Sequence, residues 1–124
     1  MPVMSYVNDY PCPDPTFQPA PNQSLENFLR AGAAVLVDGT TFASAMLDNK
    51  PLRLRRVPTG IFSFTAAASL QSYDACLTGS PQLAVSDGLF AFIDPPSAGS
   101  HTLQVKVTNT YFGVTEGIFI LNVK

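Results

Sequence analysis

Residues 84–124 read AVSDGLFAFIDPPSAGSHTLQVKVTNTYFGVTEGIFILNVK, and no other stretch limits the possible folds as strongly. In HTLQVKVT, Leu103, Val105 and Val107 alternate with Thr102, Gln104, Lys106 and Thr108. A period of two places the apolar set on one face of a strand and the polar set on the other. One wet face is the habit of antiparallel sheets. GLFAFI is nearly continuous in Leu89, Phe90, Phe92 and Ile93, which suits a strand covered on both faces. GIFILNV falls between the two patterns. Turn signals separate the runs. Asp87-Gly88 favours a tight hairpin. Pro95 and Pro96 lack the N–H that a sheet ladder needs, so the chain is expected to leave the sheet across residues 94–100.

The preceding residues extend the pattern. Residues 1–22 carry Pro11, Pro13, Pro15, Pro19 and Pro21, which forbid a helix and favour an extended arm. The arm is expected to lie as coil over the body, with Val3, Tyr6 and Val7 as an edge strand, to be disordered, or to exchange a strand with another subunit. A short helix is expected over 24–30, capped by Ser24, striped by Leu25, Phe28 and Leu29, and ended at Gly32. Strands are expected over 33–37, turned at Asp38-Gly39, then over 40–46, 52–57 and 61–65. Residues 66–79 read as a long loop or a short helix. About seven or eight short strands with regular turn signals point to an all-β fold. We therefore expect a single antiparallel β-sandwich, jelly-roll or immunoglobulin-like, over residues 23–124, with one short helix and the Pro-rich arm 1–22.

Composition narrows the function. Charged residues make up only 13% of the 124, and the formal net charge is −2. That balance gives nucleic acid no basic face to hold, since Lys50, Arg53, Arg55 and Arg56 form the sole basic cluster. No run approaches the roughly 20 apolar residues of a membrane span. The first residues show neither the basic nor the apolar region of a signal peptide. Cys12 and Cys76 are either two free thiols or a disulfide tying the arm to the body. Such a bridge would close a loop of about 60 residues and contribute about 4 kcal/mol.

Catalytic constellations are scarce. His101 is the only histidine. It stands at a strand entry, where its ring is expected to bond a turn carbonyl, and no G-x-S-x-G elbow accompanies it. One histidine and two separated cysteines do not make a usual closed zinc site. The aspartates Asp38, Asp87 and Asp94 sit in turn-forming contexts, and there are only two glutamates. We expect no enzyme activity and no cofactor. The candidate ligand contacts are Tyr73, Tyr111 and Phe112 as an aromatic platform, Asp94 in its turn, and Arg53 and Arg55 as an anion or partner patch.

The C-terminal run resembles a group of uncharacterised, mostly exported bacterial proteins. Their shared pattern is an Ala-Val-Ser-Asp-Gly-Tyr-Trp run followed by a Pro-Leu-Ser-Pro-Gly-x-His turn and a strand. The matching residues are Ala84, Val85, Ser86, Asp87 and Gly88, then Pro95, Ser97, Gly99, His101 and Thr102. Leu89-Phe90 replaces the Tyr-Trp pair, Pro96 the Leu and Ala98 the second Pro. Upstream similarity extends the likeness to about residue 33. The resemblance implies an exported β-sandwich, favours the disulfide, and carries over no catalytic residue. The function expected is a non-enzymatic binding or accessory domain, with a glycan or a protein as partner. The rival class is an assembly subunit whose arm and sheet edge join copies into a homo-oligomer. The third class is a hydrolase, which would depend on His101.

Overall fold

The computed structural model describes all 124 residues. In chain order the elements are β1 (Pro2–Tyr10), α1 (Leu25–Asp38), β2 (Thr40–Leu47), β3 (Lys50–Pro51), β4 (Leu54–Arg56) and β5 (Phe62–Thr65). A 3-10 turn (Ala68–Ser72), β6 (Pro81–Ala91), β7 (Gly99–Asn109) and β8 (Gly113–Val123) follow. The fold is all-β and sandwich-like, with two antiparallel sheets and one α-helix. One sheet runs β1-β6-β4, with β5 also on β6; the other runs β3-β2-β7-β8. No helix is long and apolar enough to cross a membrane.

The chain divides into two compact units. One comprises Met1–Ser5, Leu36–Val57 and Gly88–Lys124, and the other Tyr6–Val35 and Pro58–Asp87. In the first, Val37, Ala45, Ala91, Leu103 and Val107 are buried. Leu103 and Val107 belong to the alternating set of β7, while Lys106 between them is exposed. In the second, Leu29, Ala33, Ala84 and Val85 are buried. Gln82 is buried with them and acts as a hub. Its Nε2 donates to Asp9 Oδ2 (2.9 Å), the Pro11 carbonyl (2.9 Å) and the Cys76 carbonyl (2.7 Å), and its Oε1 accepts from the Thr78 N–H (3.1 Å). Cys12 and Cys76 form a disulfide.

Several expectations need correction. Residues 33–37 are not a strand; they continue α1 to Asp38. Ser24 Oγ does accept the Asn27 N–H (3.2 Å), as a cap should. Gly32 does not end the helix. Leu29, Ala33 and Val37 fall four apart on one buried stripe, which outweighs the roughly 1 kcal/mol that a helical glycine costs. Gly32 is there for space, because a Cβ would lie 2.3 Å from Asn8 Nδ2, which donates to the Leu29 carbonyl.

Asp87-Gly88 is not a hairpin. Both residues lie inside β6 and are buried, and a Cβ on Gly88 would sit 2.5 Å from the Met4 carbonyl oxygen. Asp87 therefore does not flank the strand end, although Asp94 does lie beyond it. Phe92, expected under cover, is exposed past the end of β6, where the Arg55 guanidinium lies over its ring at 5.7 Å. The strand expected over 52–57 is shortened to β4, and residues 50–51 just before it form the separate β3. β3 pairs with β2, and β4 pairs with β6 in the other sheet. In the arm, residues 2–10 form a true strand, β1, and the chain turns to coil only at the prolines.

Candidate interaction site

The most open apolar surface is built by the β7–β8 hairpin. Eleven residue pairs run without a break from Gly99–Val123 to Asn109–Gly113. Thr110, Tyr111 and Phe112 make the connection, and Gly113 takes a positive φ of 76° that favours glycine. Buried Asn109 fixes the tip. Its Oδ1 accepts the Tyr111 N–H (2.9 Å), and its Nδ2 donates to the Leu36 carbonyl (2.7 Å) and to Thr40 Oγ1 (3.2 Å).

β8 is the last strand of its sheet, so one row of its backbone N–H and C=O groups has no strand beside it. Register with buried Leu103 and Val107 assigns Thr115, Gly117, Phe119 and Leu121 to the inner face. Val114, Glu116, Ile118, Ile120 and Asn122 take the outer face. Apolar side chains on both faces remain open: Val114 is 60% exposed, Ile118 71%, Phe119 51% and Ile120 60%. Single exposed apolar residues are ordinary, but four on one edge strand are not. The inner face also borders an apolar groove of about 480 Å³, lined by Pro2, Met4, Leu103, Val105, Phe119 and Leu121 among others. The only charge within β8 is Glu116, which pairs across the hairpin with Lys106 at 3.3 Å.

The residues singled out from the sequence are dispersed. Tyr111 and Phe112 share the hairpin tip. The Tyr111 ring lies against Gly39, where a Cβ would meet it at 2.6 Å, and Phe112 lines the groove. Tyr73 follows the 3-10 turn in the other unit and is almost wholly exposed. Arg53 and Asp94 are exposed in connecting segments. Arg55 is engaged with Phe92, and Arg56 with Asp38.

His101 does bond a turn carbonyl. Its Nε2 is 2.9 Å from the Ser97 carbonyl oxygen, and its Nδ1 is 2.7 Å from Asp48 Oδ2. Asp48 Oδ1 also accepts the Thr102 N–H at 2.8 Å. The Asp48 carboxylate and the Ser97 carbonyl raise the His101 pKa, and His101 with the Thr102 N–H lowers that of Asp48. Ser97 offers this ring its carbonyl rather than its hydroxyl, so the arrangement is a clasp across two connections. Burial raises the Asp9 carboxyl, and the Asp74 carboxylate adds to the rise. No three His, Cys, Asp or Glu side chains gather closely enough to hold a metal ion.

Sequence reasoning raised an open sheet edge without placing it at β8, and it missed Asp48. The signal for the edge was present in GIFILNV, which is apolar at both parities. That pattern fits a central strand covered on two faces as well as an open edge. No family model, no curated protein and no solved structure matches this chain.

Proposed function

We propose that this chain is a non-enzymatic binding module whose recognition element is β8, which takes up an extended peptide as an added strand. The observation that carries the reading is the set of Val114, Ile118, Phe119 and Ile120, exposed on both faces of an edge strand. Strand addition uses such an edge directly. Main-chain hydrogen bonds supply affinity, and alternate side-chain positions supply selectivity. The groove beside Phe119 and Leu121 offers the inward side chains of an added strand an apolar seat. The exported bacterial setting rests on the C-terminal motif alone. A glycan-facing role is the second reading, favoured by the adjacent, open Tyr111 and Phe112 at the hairpin tip.

Panning random linear peptides on the protein tests the first reading. Enriched peptides should alternate apolar residues, and their binding should be lost in Ile118→Lys. Peptides that bind this variant as well as the parent, or no enrichment at all, would overturn it. Stabilisation by a glycan that disappears in Tyr111→Ala would favour the second.

A further inference from the structure

We propose that the strand added to β8 is β8 of a second copy of this chain, in a two-fold antiparallel pair that joins two β3-β2-β7-β8 sheets into one. The proposal rests on the reading of β8 as the recognition edge and names its occupant. An occupant must bring free backbone groups, apolar side chains at both parities and almost no charge. β8 has all three properties.

The register can be argued from the residues. A two-fold axis normal to the sheet keeps outer residues beside outer residues and inner beside inner. Centring the pair on Phe119 sets Phe119 against its own copy on the inner face. On the outer face Ile118 then meets Ile120 of the other copy, twice. Cross-strand pairs of this kind are the stabilising units of a sheet. Glu116 falls beside Asn122, with Lys124 of the other copy two positions further along the same face. Each end of the pair therefore sets an acidic group diagonally from a basic one, around an uncharged centre. Centring on Ile118 instead would press Glu116 against Ile120, and centring on Ile120 would press Ile118 against Asn122. Charge and apolar matching agree only in the first register.

Ile118 and Ile120 are both well exposed, so substitutions there leave the core untouched. Sedimentation velocity across a dilution series should show the parent as a dimer. Ile118→Lys and Ile120→Glu should each weaken it by about tenfold or more. Mixing the two variants should restore dimers, because Lys at 118 then faces Glu at 120 while the second site keeps its isoleucine pair. Ile118→Thr, polar but strand-compatible, serves should either charged variant misfold, and should also weaken the dimer. A parent that is monomeric throughout overturns the proposal. So does a dimer indifferent to these changes, or variants that mixing fails to restore. Peptides from panning that still require Ile118 would then leave β8 as a recognition edge with a different occupant, whereas failure of both experiments removes the edge itself.

Discussion

His101 is held by an acceptor at each ring nitrogen, an arrangement that only the doubly protonated ring satisfies fully. A neutral imidazole has one N–H and leaves one acceptor facing a lone pair. Folding raises the His101 pKa above 6.5, so its contribution is complete below pH 6.5 and is lost as pH climbs through the raised value. Asp48 behaves oppositely. Its pKa is lowered below 3.8, so its contribution is present above 3.8 and is lost as pH falls through the lowered value. The clasp is strongest between these limits. Lys50 is the nearby cation that also favours ionised Asp48, and Leu121 of β8, opposite His101, carries no charge. Melting temperature against pH should therefore decline above pH 6.5, and His101→Gln should flatten that decline. A histidine resonance titrating at or below 6.5 in the folded protein would remove the clasp. The strand-entry role and the carbonyl bond were legible from His101 beside a Pro-Ser-Gly turn. Asp48 was not, because it lies 53 residues away and reaches the ring only through strand register.

At the scale of elements, glycine marks close approach more than reversal. Gly88 lies mid-strand because the backbone at Met4 and Ser5 passes within 2.9 Å of where its Cβ would be. Unlike the Asn8 amide beside Gly32, backbone there has little freedom to move aside. Gly88→Ala should therefore cost about 1–3 kcal/mol, read as a lower urea midpoint with the slope unchanged. Full stability in the variant would show that β1 can shift. Asp-Gly has the composition of a type I′ turn in either setting, which is why the sequence pattern misplaced it. The two-residue β2–β3 turn is instead made by Asp48 and Asn49, both with positive φ (50° and 63°). α1 was misjudged for a related reason. Gly32 looks like a stop, yet the buried spacing of Leu29, Ala33 and Val37 carries the helix through it.

At the scale of the whole molecule, one unit is assembled from two distant segments, Tyr6–Val35 and Pro58–Asp87. The Cys12–Cys76 bridge joins those segments across a separation of 64 residues, and Gln82 joins them again through Asp9 and Pro11. Cross-linking a loop of that length removes unfolded-state entropy worth about 4 kcal/mol. Replacing both cysteines by serine should lower the melting temperature by on the order of 15 °C. Reductant should do the same to the parent and nothing further to the variant. A parent unaffected by full reduction would show that the Gln82 network suffices by itself.

The amino-acid sequence by itself determined the class: strands of alternating pattern, an exit from the sheet at Pro95-Pro96, a capped helix start at Ser24, and two cysteines whose pairing stayed open. These features are local, because side-chain period and proline chemistry act within a few residues. Tertiary structure decided which strands are neighbours. It sent residues 50–51 and 54–56 to different sheets, placed Gly88 inside a strand and left β8 at an edge. A period of two reports what lies above and below a strand and carries no information about what lies beside it. Whether GIFILNV is central or open to an added strand is a question in the plane of the sheet, and only long-range hydrogen bonding answers it.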